Sequence, residues 1–393
     1  MIPQLKIDPF DEAFLADPYT HHAELRDAGA LVWLEPISCY AMARFDHVQL
    51  ALKDWQTYIS GRGVGLADFA HQVPSRPPSL LLETDPPVHE RTRGLMKKIV
   101  SLSALGALRP AWREQAEILV QSLVTRRRFD AITELAEIYP LRIFPETVGL
   151  MDEGRENLMA YAAAVFDAFG PHNATAARSA HRAVAAVEWV AEACRRKNLK
   201  PGGWGMSVFE ASDRGECTEQ EAERLVRSFL SAGVDTTVNG IGNMLYAFSC
   251  FPAQWTQLRE RQSLVPKAFE ESLRWDSTVQ TFFRTTCRDV EVEGEVIPNG
   301  SKVVLFLAAA NRDPRRWPIP ETFNIDRPQA YHVGFGFGIH QCLGQMVARM
   351  EGQLILESFL PRVGSIRLTG APARRLNNAL HALANLPIEV EPL

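Results

Sequence analysis

One helical pattern constrains this chain more than any other feature. It starts at Thr218, a good N-cap, with Glu221 three residues on to complete a capping box. Apolar residues then recur through Leu225, Phe229, Leu230, Met244 and Leu245 to about Phe248, and Cys250-Phe251-Pro252 ends the run. About 30 residues at 1.5 Å each give a rod of ~45 Å, enough to cross a whole domain, so the rest of the fold must wrap around it. Its middle breaks the local rules. Ser231-Ala232-Gly233-Val234-Asp235-Thr236-Thr237 puts Gly, Asp and Thr where helices disfavour them. A Thr hydroxyl there can bond the carbonyl of the preceding turn and distort the helix. Such a conflict inside a long buried helix points to function.

The surrounding pattern predicts a mainly α fold, one large helical domain over residues 1–393 with a minor β portion. Long helical patterns run from His89 to Arg127, from Asp130 to Phe144 and from Gly344 to Leu356. Short strands are expected at Ala30–Leu34, Cys39–Arg44 and Val303–Leu307, and a hairpin turns at Gly294. With 46% hydrophobic and 23% charged residues the composition is that of a globular protein. A formal charge of −5 argues against non-specific nucleic-acid binding. The longest apolar run, Val303–Ala310, is far short of the ~20 residues a membrane span needs. The first residues carry acids early and have no apolar core, so no signal peptide is expected. Cys39, Cys194, Cys217, Cys250, Cys287 and Cys342 form no CxxC pair, and reduced thiols in a cytoplasm are the expectation.

Residues 335–344 read Phe-Gly-Phe-Gly-Ile-His-Gln-Cys-Leu-Gly. This is a tight loop that presents Cys342 just before a helix. Backbone N–H groups and the helix dipole favour a thiolate there, and the glycines let a large flat group lie against the backbone. A thiolate so held suits iron as a soft axial ligand. A buried structural cysteine beside a Gly-rich turn is the plainer alternative for a lone cysteine, but not for a match of this length.

The segment resembles the haem-binding signature of the cytochrome P450 family, FGxGxHxCxG, at every fixed position. Three more family signatures occur in family order: Glu271-Ser-Leu-Arg274 is similar to the ExxR helix, Ala232–Thr237 to the oxygen-activation helix, and His89–Arg93 to the HxxxR haem contact. The resemblance covers essentially the whole chain. It implies haem b between the long central helix and the Cys-loop helix, with Cys342 as the axial ligand of the iron. It also implies haem propionates met by His89, Arg93, Arg284 and His340, and a buried cluster of Glu271, Arg274 and Arg327 behind the cysteine loop. Asp235 and Thr236 would then deliver the protons that O2 must receive before its O–O bond breaks. Such an acid–alcohol pair argues for a monooxygenase fed by electrons, not a peroxide-driven enzyme.

The substrate class is read from the same helix. Ser228, Ser231, Ala232, Asp235 and Thr236 fall on one stripe if the helix is continuous, with Ser228 about 12 Å from Thr236 along the axis. A polar end at Ser228–Ser231 and a reactive end at Thr236 suit a short rod with a polar head; serines bonded back to their own helix are the alternative. The Pro-stiffened Arg76–Leu80 loop adds a cation and a hydroxyl. Phe166 and Phe169 add aromatic surface, or are simply core. RGVGLxDF (Arg62–Phe69), RPPSL (Arg76–Leu80), VFxAFGP (Val165–Pro171), LVRSxLSAG (Leu225–Gly233), DTTVNGIG (Asp235–Gly242) and VQTFFRTT (Val279–Thr286) resemble a bacterial subfamily that oxidises para-substituted benzoic acids, notably by O-demethylating 4-methoxybenzoates, and hydroxylates para-alkyl groups. That resemblance implies a carboxylate held by Arg76, Ser79, Ser228 and Ser231 with Arg227 close by. The ring would lie between Phe166, Phe169, Val279, Phe282 and Ala232. Thr278 stands where the wider family usually has proline, a change expected to alter how Val279 is presented.

The chain has no flavin, nicotinamide or iron–sulfur fingerprint, so electrons must arrive from other proteins. By resemblance these are a [2Fe–2S] ferredoxin and its NADH-dependent reductase, with Lys97, Lys98, Arg315 and Arg316 as a candidate basic docking patch. Three alternatives predict different observations. A terpenoid or macrolide hydroxylase would have a wholly apolar pocket, a non-catalytic haem sensor would show no turnover, and a helical scaffold without haem would be colourless.

Overall fold

The computed structural model describes residues 1–74, 76–328 and 331–393. Helices dominate and a six-stranded sheet lies to one side. Its strand order is Gln4–Leu5, Val32–Leu34, Cys39–Met42, Lys302–Phe306, Thr281–Thr286, Tyr58–Ile59. Val32–Leu34 and Cys39–Met42 lie within the two short strands expected around Glu35-Pro36, and they pair antiparallel. Cys39–Met42 then pairs parallel with Lys302–Phe306, a long-range crossover that local pattern cannot announce. Val290–Val292 and Glu295–Ile297 form the expected hairpin, with Glu293 and Gly294 both at positive φ (49° and 84°), as a tight hairpin turn requires. The chain closes with a second sheet, Val363–Leu368, Pro387–Pro392 and Arg128–Asp130, and the small pair Ala373–Arg375 with Ala382–Asn385.

The predicted helix from His89 to Arg127 is two helices, Val88–Ile99 and Leu102–Arg126, because the Ser101 hydroxyl caps the second by accepting from Ala104 N–H (3.3 Å). The Asp130–Phe144 pattern holds a strand end, a π-turn at Ile132–Ala136 and the helix Ile138–Val148.

The central rod is also two helices, Glu219–Ala232 and Asp235–Cys250. The capping box at Thr218 and Glu221 is present. The break falls at Gly233-Val234, inside the segment with poor helix formers. A Cβ on Gly233 would meet the Phe144 ring at 2.3 Å, so only glycine lets the two segments approach this closely. Val234 adopts φ −112°, ψ −66°, and the Thr236 hydroxyl donates to the Ala232 carbonyl (2.8 Å), the back-bond expected of a Thr in that place. Downstream the helix is almost wholly buried. Val238, Ile241, Met244, Leu245 and Phe248 each contribute about 1.5–3 kcal/mol of burial. It packs on the Val265–Trp275 and Gln345–Phe359 helices, which flank the cysteine loop.

Candidate active site

The Phe335–Gly344 loop folds back on itself: Cys342 N–H donates to the Phe335 carbonyl (2.8 Å), with Gly336 and Gly338 at φ +69° and +74°. A Cβ on Gly338 would lie 2.6 Å from the Leu52 carbonyl, so this glycine is needed for both its φ and its size. Gly344 caps the Gln345–Phe359 helix and its Cα hydrogens face Cys342 Sγ; a Cβ there would sit 4.0 Å from the sulfur. Burial pushes the Cys342 thiol up. The Gly344 N–H and the charges of Arg93 and Arg349 pull it back in part.

Behind the loop Glu271 accepts both Nε (2.7 Å) and Nη2 (2.8 Å) of Arg274, Nε of Arg327 (3.1 Å) and the Asn324 N–H (3.0 Å). The spare guanidinium donors go to the carbonyls of Asn311, Pro318, Ile319, Pro320 and Thr322. All three charged residues are buried, and the cluster ties the Val265–Trp275 helix to the segment that leads into the cysteine loop.

A cavity of about 220 Å³ lies between this loop and the central helix pair. Cys342, Arg93, Arg284 and His340 line it, together with Ser79, Phe166, Ser228, Ser231, Ala232, Thr236, Thr278, Val279 and Phe282. The first four fit haem. Arg284 is buried, burial pulls its guanidinium down to about 10 against the attraction of Asp85, and among the described residues it donates only to the adjacent Phe283 carbonyl (2.8 Å). Arg93 donates to the Gln341 carbonyl. The His89 and His340 rings pack at 4.1 Å, tilted by 51°; Nε2 of each is buried without a hydrogen-bond partner among the described residues, that of His340 lying 3.9 Å from Asp85 Oδ1. Burial and the neighbouring His340 and Arg93 charges push His89 down to about 4, so at neutral pH it is an uncharged donor or acceptor. Buried cationic and donor groups with so few partners suit a dianionic group beside the sulfur. His89 itself does not line the cavity; it backs His340.

The helix break corrects the expected stripe. Ser228, Ser231, Ala232 and Thr236 face the cavity, but Asp235 does not. It is fully buried on the other side, where Oδ1 accepts from Asn239 Nδ2 (3.0 Å) and from Arg375 Nη2 (2.5 Å). Asp235 Oδ2 is buried with no partner among the described residues. Ser228 and Ser231 hydroxyls donate to the Arg224 (3.1 Å) and Ser228 (3.3 Å) carbonyls, which leaves their oxygens as acceptors toward the cavity.

Three expected substrate contacts also differ. Arg76 lies outside the main cavity and makes a bidentate pair with Glu83 (2.9 and 3.0 Å), because the carboxylate four residues past Ser79 turns back into the Pro-rich loop. Phe169 stands behind the wall: it packs on Phe166 (5.6 Å), Phe282 (5.8 Å) and the Arg76 guanidinium (5.6 Å). Arg227 lines a second, smaller pocket of about 30 Å³ with Arg76, Arg224 and Tyr161, and Ser79, Leu82, Ser228 and Ser231 are common to both pockets. Arg224 was not singled out from sequence, although it lies four residues before Ser228 on the same face. Thr278 lines the main cavity near Gly240, and its hydroxyl is buried without a partner among the described residues. The candidate docking charges are largely engaged: Lys98 pairs with Glu216 (2.9 Å), Arg315 with Asp27 (3.1 Å) and Asp313 (3.2 Å), and Arg316 lies over Phe45. Among the described residues no helix is long and apolar enough to cross a membrane.

Comparison with known proteins agrees with this geometry. The cytochrome P450 family model matches residues 205–363. Cytochrome p450 CYP199A2 of Rhodopseudomonas palustris is 48% identical over 392 residues, covering 100% of this chain and 95% of that protein. Cytochrome P450 CYP109Q5 from Chondromyces apiculatus superposes with a TM-score of 0.82 at 30% identity, covering 100% of both chains. Cytochrome P450 CREJ, in a complex with (4-ethylphenyl) dihydrogen phosphate, superposes with a TM-score of 0.88 at 25% identity, covering 98% of this chain and 99% of that one. A full-length match at this identity, together with the cysteine loop and the cavity above it, establishes that the chain belongs to the cytochrome P450 family of haem b monooxygenases.

Proposed function

We propose that this monooxygenase acts on small para-substituted aromatic acids, with O-demethylation of 4-methoxybenzoate as its reaction and hydroxylation of para-alkyl groups as a variant. One observation carries the reading: the cavity that holds Thr236 adjoins, through Ser79, Ser228 and Ser231, a small pocket flanked by Arg76, Arg224 and Arg227. Of the three guanidiniums that line the small pocket Arg76 is paired with Glu83 and Arg224 donates to the Pro78 carbonyl, so the positive charge left there favours an anion. CREJ, of similar fold, is in complex with (4-ethylphenyl) dihydrogen phosphate.

In this reading Cys342 would hold the haem iron through its sulfur, and Arg93, Arg284 and His340, backed by His89, would hold the propionates. Haem b, when bound, supplies the redox chemistry that activates O2. The chain's own residues do the rest. Ser79 and the arginines fix the carboxylate, Ser228 and Ser231 donate to it once their hydroxyls turn away from the Arg224 and Ser228 carbonyls, and Phe166, Ala232, Val279 and Phe282 hold the ring flat. The para substituent is then the only part presented at Thr236, so regioselectivity comes from positioning. Thr236 holds a hydroxyl at the reacting end; Asp235, paired with Arg375 on the far side of the helix, passes a proton to it only by turning from Arg375 toward the cavity. Electrons come from a [2Fe–2S] ferredoxin and an NADH-dependent reductase; Lys97, which makes no ion pair among the described residues, is the free charge left in the expected docking patch.

The Arg76–Glu83 pair favours a second reading, in which the head site is neutralised and the substrate is apolar, such as a terpenoid. Spin-state titrations with 4-methoxybenzoic acid and its methyl ester separate the two. The acid should bind at least about tenfold tighter, since loss of the anion leaves buried donors unpaired. Equal affinities would favour the apolar reading.

A further inference from the structure

Lys302 opens the strand Lys302–Phe306, and its side chain turns under the Arg62–Phe69 loop. The ammonium donates to three backbone carbonyls of that loop, those of Arg62 (3.0 Å), Gly63 (2.8 Å) and Gly65 (3.1 Å). An ammonium has three donors and no acceptor, so this tripod uses its full capacity. The loop is otherwise closed by the Arg62 Nε bond to Asp68 (2.8 Å) and by Phe69 N–H donating to the Arg62 carbonyl (3.1 Å).

What the loop carries matters more than the loop itself. Val64 is buried, lines the main cavity, and its carbonyl accepts from Phe283 N–H (2.9 Å). Leu66 N–H donates to the Phe169 carbonyl (2.7 Å), and a Cβ on Gly65 would lie 2.5 Å from that same oxygen. Val64 belongs to one apolar cluster with Phe166, Phe169 and Leu380, and Phe282 packs on it. The loop is thus pressed between the strand Thr281–Thr286 and the aromatic wall, and Lys302 is the cation around which it bends.

We propose that Lys302 is a positioning residue for substrate: by gathering the Arg62, Gly63 and Gly65 carbonyls it fixes Val64 and the Phe166–Phe169 wall, and so sets how tightly the cavity holds a ring. Lys302 does not line the cavity and acts only through Val64 and the loop. The inference is independent of whether the substrate is a benzoate.

The test uses the haem-loaded protein and 4-phenylimidazole, a neutral probe that binds haem iron and places a phenyl ring in the cavity. Lys302→Met, Val64→Ala and the double variant are titrated spectrally, and amide hydrogen exchange is followed over residues 61–69. Lys302→Met should weaken the probe about tenfold and speed exchange in the loop but not in Val32–Leu34. The double variant should bind little worse than the weaker single, since both changes act on one element. Lys302→Gln, which keeps amide donors, should recover part of the affinity and serves if the Met variant does not accumulate. Unchanged probe affinity in either Lys302 variant, even with a lowered melting temperature, would overturn the proposal, as would effects of Lys302 and Val64 that simply multiply.

Discussion

At the scale of single residues the site separates groups that touch the cavity from groups that act behind it. Thr236 touches it; Asp235 is sequestered with Arg375 and Asn239, its second oxygen without a partner among the described residues. Thr236→Ala should therefore bind substrate as before while diverting reducing equivalents to hydrogen peroxide. Peroxide formed per NADH consumed is the measurement, and unaltered coupling would contradict the assignment. Thr278 is a different case. Its buried hydroxyl has no partner among the described residues, an arrangement that costs about 1–3 kcal/mol when left unsatisfied. Thr278→Val keeps the shape and removes that cost, so chemical denaturation should show a gain of about 1 kcal/mol. A loss of similar size would mean that the hydroxyl is bonded in solution. Cys342, the Glu271–Arg274 spacing and Thr236 were all legible because each is a local motif with a chemical reason. The Asp235–Arg375 pair was not: the partners lie 140 positions apart and only the fold brings them together.

At the scale of elements the central helix shows what periodicity can and cannot say. Its start, its apolar face and its end are in the sequence, and so is the conflict at Gly233–Thr237. What the pattern does not contain is the outcome of that conflict, a break that turns Asp235 off the stripe shared by Ser228, Ser231 and Thr236. The cause is tertiary: the Phe144 ring occupies the place a side chain on residue 233 would need. The ion cluster is the other element-scale device, joining the Val265–Trp275 helix to the Pro318–Arg327 segment through charges with almost no solvent contact. Glu271→Gln leaves Arg274 and Arg327 short of their counter-charge, and a buried pair broken in this way costs about 3–5 kcal/mol. The haem-loaded variant should lose stability of that order in denaturant and release haem more readily; a loss under about 1 kcal/mol would show that the carbonyl cage alone holds the two arginines.

At the scale of the whole molecule the fold class was readable and the long-range pairing was not. Short strands with alternating residues identify themselves, but the parallel crossover of Cys39–Met42 onto Lys302–Phe306 and the return of Pro387–Pro392 to Arg128–Asp130 depend on distant partners. The candidate substrate site shows the same limit. Its serines and aromatics were found, yet the Glu83 that neutralises Arg76 and the Arg224 that adds a second cation emerge only when the Pro-rich loop is laid against the Glu219–Ala232 helix; Arg224 donates there to the Pro78 carbonyl (2.5 Å). The account as a whole stands on a substrate anchored at one end and oxidised at the other. NADH-driven turnover of 4-methoxybenzoate, with ferredoxin and reductase supplied, tests this most directly. The account predicts 4-hydroxybenzoate and formaldehyde in equal amounts, with little product from the meta isomer or the methyl ester. Equal turnover of acid, ester and meta isomer, or oxygen placed on the ring carbons, would contradict it.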